Sequence, residues 1–168
     1  WVLEVSHMGY LFGLFDALGV PENARPGLLE KLREKNAHEL RRAAQAAGLD
    51  AAGAAALTGL LELSGSCEET LAKAERACRN DRMRAAAAEL RALAKTLEAS
   101  GGAVRLDLSL AGEMEYYNGL VFQGYLQGLP RPLLKGGRYD LLMQKFTPGA
   151  GAIGFAVYLD ELDRLSAP

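Results

Sequence analysis

One short stretch, MEYYNGLVFQGY at residues 114–125, carries most of the side chains that could contact a small polar ligand. Its aromatic and apolar residues predict a β-strand, in which successive side chains point to opposite faces. One face of that strand carries a carboxylate, a phenol, a gap and a carboxamide, at Glu115, Tyr117, Gly119 and Gln123. A phenol can donate or accept a hydrogen bond, and a glycine beside it leaves space for a ligand. Tyr116 falls on the other face, where we expect packing. A half-exposed antiparallel strand explains the pattern equally well, so a pocket and a plain strand both stay open.

A second stretch, GAGAIG at residues 149–154, matches the glycine pattern of dinucleotide-binding loops. That pattern binds a pyrophosphate when a strand precedes it and a helix N-terminus follows it. Here a helix is predicted before it and an apolar strand after it, so we interpret it as a turn beside a neighbouring pocket. No P-loop, HExxH motif or GxSxG motif occurs in the sequence. The two histidines and two cysteines lack metal-ligand spacing, so we expect no metal and no cofactor.

The bulk composition argues against several classes of function. The chain has 168 residues, of which 49% are hydrophobic and 24% charged, an ordinary balance for a domain with a sizeable core. The formal net charge of -2 provides no overall basic field, so no nucleic-acid partner is expected. No apolar run is long enough to span a membrane, and the two cysteines are expected to be reduced thiols of a cytoplasmic protein. The chain begins at Trp1, inside a strand-like stretch, which suggests a fragment.

The helices and strands that must position these side chains are predicted to form an α+β fold in three parts. Residues 1–20 predict a strand and a helix that Gly19 ends. Residues 21–100 are alanine-rich with helical spacing and predict an almost entirely helical insertion, with Ser66 as an N-cap after a break. Residues 101–168 predict one largely antiparallel sheet with two helices, and its strands are expected at 103–110, 114–126, 132–135 and 152–157.

The first of those strands, AVRLDLSL, shows strict alternation. Leucines and valine occupy every second position, and the residues between them are Arg105, Asp107 and Ser109. This pattern predicts a half-buried strand whose polar residues face solvent. Short gaps containing Gly or Pro favour antiparallel pairing between strands that follow each other in the chain. The two glycines of LKGGRYD are expected to end the third strand.

Three segments of the last third, taken in order, resemble the histidyl-tRNA synthetase family, whose catalytic fold is that of the class II aminoacyl-tRNA synthetases. They are the tyrosine strand, GGRYD at residues 136–140, and GAIGFAVYLDEL at residues 151–162. The helical part resembles the family's insertion by position and character only, and the family's first two class II motifs are absent from this chain. The resemblance implies a partial synthetase-like sheet with flanking helices and a helical insertion.

The same resemblance implies a histidine pocket without adenylation chemistry. Where synthetases place an arginine ahead of the tyrosines, this chain has Gly112, and where the last motif has an arginine it has Glu161. Adenylate formation needs cations at the developing phosphate charge, so no catalytic residue is expected. The residues that the resemblance assigns to histidine binding are Glu115, Tyr117, Gly119, Gly136, Gly137, Arg138, Tyr139, Gly154 and Phe155.

With a retained amino-acid pocket and without those arginines, the sequence is similar to the regulatory subunits of ATP phosphoribosyltransferase. That likeness implies a non-catalytic protein of histidine biosynthesis that binds histidine and confers feedback inhibition on a short catalytic subunit. It also implies a homodimer within a hetero-oligomer and no membrane partner. Two alternatives stay open: a fragment of a histidyl-tRNA synthetase or a degenerate synthetase paralogue, and an isolated piece of the fold that binds nothing because its pocket walls lie elsewhere.

Overall fold

The computed structural model describes residues 1–99, 101–112 and 117–166, which form one mixed sheet and a set of helices. The strands are β1 (Val2–His7), β2 (Ser64–Gly65), β3 (Val104–Asp107), β4 (Leu120–Tyr125), β5 (Leu134–Arg138) and β6 (Ile153–Val157). The helices are α1 (Met8–Ala17), α2 (Arg25–Arg33), α3 (Ala37–Ala46), α4 (Ala51–Thr58), α5 (Cys67–Ala77), α6 (Asp81–Ala99), α7 (Asp140–Gln144) and α8 (Leu159–Ser166). Short 3₁₀ turns lie at Glu22–Ala24 and Gly59–Glu62. The predicted α+β class is confirmed.

The sheet has the order β2-β3-β1-β4-β5-β6, with β1 near its centre. β1 pairs in parallel with β3 and antiparallel with β4, and every other pairing is antiparallel. The sheet is therefore largely antiparallel, as predicted. The expected pairing of β3 with β4 is wrong, because β1 lies between them. Val5, Ser6 and His7 are all buried, and burial of consecutive residues requires cover on both faces of the strand.

β3 ends at Asp107, three residues before the predicted end of the strand. Oδ1 of Asp107 accepts hydrogen bonds from the backbone N–H of Ser109 at 3.0 Å and from its hydroxyl at 2.5 Å. An aspartate that binds the backbone two residues ahead turns the chain. Both residues are buried, so their predicted exposure is wrong. Each satisfies part of the other's hydrogen-bonding capacity, which makes the burial tolerable.

The two glycines of β5 lie inside the strand, not at its end. Gly136 and Gly137 are buried and pair with Phe122 and Val121 of β4. A β-carbon at Gly136 would lie 2.6 Å from Cζ of Phe122 and would collide with the carbonyl oxygen of Gly154. Only a residue without a side chain lets the backbones of β5 and β6 and the Phe122 ring come this close. The prediction that the two glycines end the strand is therefore wrong, because both lie within it.

The tyrosine strand is shorter than predicted. Residues 114–116, which include Tyr116 and Glu115, lie outside the described residues. Residues 117–119 form a bend, and β4 begins at Leu120. The strict alternation that placed Tyr117 and Gly119 on one face therefore does not apply to them.

The helical block, residues 21–99, is almost entirely helical as predicted, apart from β2 and its connecting turns. Asp50 caps α4 by accepting the Gly53 N–H at 2.7 Å. Ser66 occupies the N-cap of α5, but its side chain makes no capping hydrogen bond there, so the expected hydroxyl cap is wrong. The leucine and alanine stripes pack against α1, whose Tyr10 donates to the Ala74 carbonyl oxygen at 2.8 Å. None of the helices in the described ranges is long and apolar enough to cross a bilayer.

Candidate functional site

A cleft of about 850 Å³ opens between the sheet and the segments that follow β3 and α2. Residues of β1, β4, β5 and β6 line it, together with residues 109–112 and the turn between α2 and α3. A cleft of this size exceeds what one amino acid needs, and ligand sites in proteins commonly range over ~300–1,000 Å³.

Two tyrosines lie on a pair of glycines at this cleft. Gly137 of β5 and Gly154 of β6 are direct partners in the sheet. A β-carbon at Gly137 would lie 2.5 Å from Cδ1 of Tyr117, and one at Gly154 would lie 2.9 Å from the hydroxyl oxygen of Tyr139. The absent side chains thus make room for the tyrosines, which line the cleft.

Gly112 holds the Tyr117 ring from the other side. A β-carbon at Gly112 would lie 2.5 Å from Cδ2 of Tyr117 and 3.0 Å from Cγ1 of Val121. Since Gly137 approaches the opposite edge of the same ring, Tyr117 is confined between two glycine backbones. Its position is set by backbone contacts, and any larger residue at 112 would have to displace it.

The end of α2 and the turn after it bring two cations to the cleft that were not among the predicted site residues. Arg33 donates from Nε to the Ala111 carbonyl oxygen at 3.2 Å and from Nη2 to the Gly112 carbonyl oxygen at 2.6 Å. Lys35 donates to Oδ2 of Asp107 at 2.5 Å, and this hydrogen bond raises the pKa of the lysine. All three hydrogen bonds span more than seventy positions of sequence, so no local pattern could have indicated them.

One row of the sheet places opposite charges along the cleft floor. Glu4 of β1, Gln123 of β4 and Lys135 of β5 are neighbours across the strands. The Tyr125 hydroxyl donates to Oε1 of Gln123 at 2.9 Å, and burial raises the pKa of that tyrosine. A carboxylate, a carboxamide and an ammonium group on one face can bind a zwitterion. Within the described ranges, no cluster of His, Cys, Asp or Glu could hold a metal ion.

Five of the predicted pocket residues line the cleft: Tyr117, Gly136, Tyr139, Gly154 and Phe155. Three others do not line it, namely Gly119, Gly137 and Arg138. Gly137 lies against the Tyr117 ring, and a β-carbon at Gly119 would lie 2.9 Å from Cδ of Arg138. The space expected at Gly119 is therefore filled by the arginine, since the bend at 117–119 turns it away from Tyr117. Glu115 lies outside the described residues.

The two positions without arginine lie in different environments. Gly112 lines the cleft, whereas Glu161 does not. Glu161 is only 2% exposed, and its carboxylate oxygens lie 3.9 Å from Nη1 of Arg131 and 3.8 Å from Nε of Arg164. The buried carboxylate thus has cationic neighbours of its own and does not line the cleft that Tyr117 and Tyr139 line.

A chain of polar contacts supports the turn that carries Tyr139. Arg138 binds Oδ2 of Asp140 at 2.5 Å and Oε1 of Glu89 at 3.2 Å, and Oδ1 of Asp140 accepts the Ala152 N–H at 2.8 Å. The other oxygen of Glu89 lies 3.0 Å from Nε2 of His7. Tyr139 lies between Arg138 and Asp140, which make these polar contacts. Its backbone is therefore fixed by the contact of Arg138 with α6 and by the contact of Asp140 with the loop before β6.

Nδ1 of His7 accepts the Gly9 N–H at 3.0 Å and thereby caps α1, which assigns the ring hydrogen to Nε2, where it is donated to Glu89. Burial lowers the pKa of His7, while the hydrogen bond to Glu89 opposes that effect. The neutral ring is thus the form that both contacts use.

Comparison with known proteins identifies the family and the fold of the chain. The family model for histidyl-tRNA synthetase matches residues 1–162. The chain is 40% identical over 164 residues to an ATP phosphoribosyltransferase regulatory subunit from Shouchella clausii, a match that covers 95% of this chain and 41% of that protein. A solved structure described as an ATP phosphoribosyltransferase regulatory subunit/histidyl-tRNA synthetase from Bacillus halodurans is 35% identical, with a TM-score of 0.83 over 94% of this chain and 42% of that one.

A histidyl-tRNA synthetase from a Nostoc species shares the fold at 20% identity, with a TM-score of 0.79 over 98% of this chain and 41% of that one. The chain therefore spans about two fifths of the length of the relatives it matches. The resemblance stated from the three sequence segments is confirmed. Because the family model covers nearly all of its residues, the chain belongs to the histidyl-tRNA synthetase family.

Proposed function

We propose that this chain is part of a non-catalytic regulatory subunit of ATP phosphoribosyltransferase, which binds histidine in the cleft and makes a short catalytic subunit sensitive to feedback inhibition. The observation that carries the proposal is the placement of Tyr117 and Tyr139 on paired glycines at a cleft of mixed charge. The name of the Shouchella clausii relative supports the regulatory role. The assembly that we propose is a homodimer within a cytoplasmic hetero-oligomer.

The chemistry of the cleft suits histidine. A neutral imidazole has one donor and one acceptor nitrogen, and a phenol can serve either. Glu4 offers a partner for the ligand's ammonium group, and Lys135 offers one for its carboxylate. Tyr117 is held between two backbones, so little conformational freedom is lost when a ligand binds it. Gly136, Gly154 and Phe155 complete the proposed histidine site, whereas the placement of Gly119 and Arg138 does not favour direct contact.

The absence of adenylation chemistry rests on Gly112 and Glu161. A phosphoryl transition state gains most from cations that are already in place. Gly112 supplies none, and an arginine there would meet the Tyr117 ring at its β-carbon. Glu161 is a buried carboxylate that does not line the cleft. These features support a protein that binds histidine without activating it.

The decisive experiment uses the complete gene product with its catalytic subunit. Histidine is titrated by calorimetry and, in parallel, against phosphoribosyltransferase activity. We expect saturable binding and inhibition over the same concentration range, and no inhibition when the regulatory protein is left out. Absence of binding, or inhibition that does not need this protein, would contradict the proposal.

A histidyl-tRNA synthetase, intact or degenerate, is the second candidate, because the matching family model carries that description. The two are separated by ATP–pyrophosphate exchange with histidine and magnesium. We expect no exchange above the background without enzyme. Exchange that depends on histidine would favour the synthetase.

A further inference from the structure

We propose that Arg33, the last residue of α2, and Lys35, on the turn that follows, are positioning residues of the histidine cleft and couple the helical block to its occupancy. The inference rests on the proposed function in one respect, since it takes histidine as the occupant. It concerns two residues that line the cleft and bind the 107–112 segment, whose Gly112 backbone lies against the Tyr117 ring.

Lys35 makes the first contact between the helical block and the 107–112 segment. It has a φ of 53°, in the left-handed region, directly after the end of α2. That position usually holds glycine or asparagine, because other side chains are strained there. The Lys35 ammonium binds Asp107, which is 3% exposed and turns the chain at the end of β3. A buried carboxylate without a cation would be costly, so this ion pair holds the turn against the 107–112 segment.

Arg33 makes the second contact between the helical block and the 107–112 segment. Its guanidinium group binds two successive backbone carbonyls, those of Ala111 and Gly112. Hydrogen bonds from a charged donor are stronger than those between neutral groups. Because the Gly112 backbone lies against the Tyr117 ring, a shift of this backbone requires a shift of the ring. Arg33 thus holds the wall on which Tyr117 rests.

The consequence is a mutual dependence between binding and docking. A ligand that contacts Tyr117 favours the arrangement in which Gly112 is held by Arg33, and the docked turn favours ligand binding to the same extent. Histidine should therefore reduce the local opening of α2 and α3, which lie in the helical block and not in the sheet that carries the tyrosines.

The first arm of the test needs no ligand. Hydrogen exchange is measured in the complete gene product for peptides that cover residues 107–112, with Arg33→Met compared with Arg42→Met. Arg42 is the matched control, because it pairs with Glu39 at 3.1 Å on the exposed side of the same block. We expect these peptides to exchange several-fold faster in Arg33→Met than in the unmodified protein, and at an unchanged rate in the Arg42→Met control. Equal exchange would overturn the positioning claim.

The second arm titrates histidine and histidinol, which keeps the ring and the amine but lacks the carboxylate. Arg33→Met should raise both dissociation constants by the same factor, about five- to tenfold, and should abolish the ligand-induced protection of α2 and α3. Lys35→Met should act in the same direction, and Arg33→Lys should recover part of the loss. A larger loss for histidine alone would overturn positioning in favour of direct contact with the carboxylate.

Two further outcomes separate this inference from the proposed function. If the unmodified protein binds no histidine, the proposed function fails, and the ligand-free exchange alone decides whether Arg33 positions the segment. If it binds histidine and Arg33→Met binds as tightly as Arg42→Met, the function stands and the coupling fails. Should Arg33→Met lower the melting temperature strongly, Arg33→Lys and Lys35→Met replace it in both arms.

Discussion

The helical block and the tyrosine-bearing sheet edge are built on opposite principles. In the block, the large apolar side chains are buried and Asn36 and Asp50 cap their helices. At the sheet edge, Phe155 of β6 is 69% exposed, and the defining contacts are rings lying on glycine backbones. The comparison teaches that stability and the proposed ligand recognition depend on different kinds of contact in this chain. Changes in one region should leave the other largely unaffected, except through the Arg33 and Lys35 turn.

The largest expected effect is a core truncation in the helical block. Leu32 of α2 is fully buried, so Leu32→Ala should lower the free energy of unfolding by about 2–5 kcal/mol through lost burial and the cavity left behind. Leu141 of α7 is 59% exposed, and Leu141→Ala should change it by less than about 0.5 kcal/mol. Urea unfolding measures both. Equal losses would break the comparison between the two regions.

The next largest effect is a single methyl group beneath Tyr117. Gly137→Ala places a β-carbon 2.5 Å from that ring and 2.7 Å from the Leu120 carbonyl oxygen, so it should cost about 1–3 kcal/mol of stability and weaken histidine binding as well. The matched control is Gly27→Ala in α2, where the space is open; it should stabilise the helix by roughly 0.5–1 kcal/mol. Urea unfolding and histidine calorimetry measure the pair. Normal histidine affinity in Gly137→Ala would mean that the ring's position does not matter.

A pair of hydroxyl deletions sharpens the comparison further. Tyr117→Phe should cost on the order of 1 kcal/mol of histidine binding, because one hydrogen-bonding group at the proposed ligand is lost. Tyr10→Phe removes the bond to the Ala74 carbonyl oxygen and should cost on the order of 1 kcal/mol of stability, with histidine binding unchanged. Calorimetry and urea unfolding on both variants form the test. Tyr116→Phe, expected to change histidine binding much less than Tyr117→Phe, is the control for the sequence-based assignment of the two tyrosines.

The smallest expected effect is on the pH dependence of stability. The pKa of His7 is lowered in the folded state, mainly by burial, below its ordinary value of 6.5. The unfolded chain therefore binds a proton before the folded protein does, and His7 contributes stability above pH 6.5 that is lost as the pH falls through the lowered value. His7→Asn keeps a side chain suited to the N-cap and removes the titration. The slope of unfolding free energy between pH 7 and pH 5.5 should flatten in this variant, and an unchanged slope would show that other groups are responsible.

The local sequence patterns predicted most helices and strands. The features that they did not predict depend on pairing between residues far apart in the sequence or on hydrogen bonds between side chains. The helical spacing of Met83, Ala87, Leu90, Ala94 and Leu97 predicted a buried face; the first four are buried, and Leu97 is only half-buried. The insertion of β1 between β3 and β4 left no local signal, since the contacts join residues 2–7 to strands that lie beyond residue 103. Asp107 and Ser109 alternate with leucines in the sequence, and only their mutual hydrogen bonds reveal a turn.

The site was predicted in the same uneven way. Tyr117 and Tyr139 were predicted as site residues because their motifs are contiguous; both line the cleft, and their contact with histidine stays a prediction. Arg33 and Lys35 were missed because ordinary basic residues at the end of a helix indicate nothing about a strand seventy positions away. Gly119 was assigned by strand alternation, which fails where the chain bends before β4.

The central position of β1 also determines the order in which the molecule can assemble. Leu3 must find Val104, and Val2 must find Tyr125, so the sheet cannot close until most of the chain is available. The helices between them form from local contacts and need not wait. We expect the helical block to fold first and to bring β1 and β3 together. Until β4 arrives, β1 keeps an open edge, which makes this interval the one in which the newly made chain is most exposed to mispairing with a second chain.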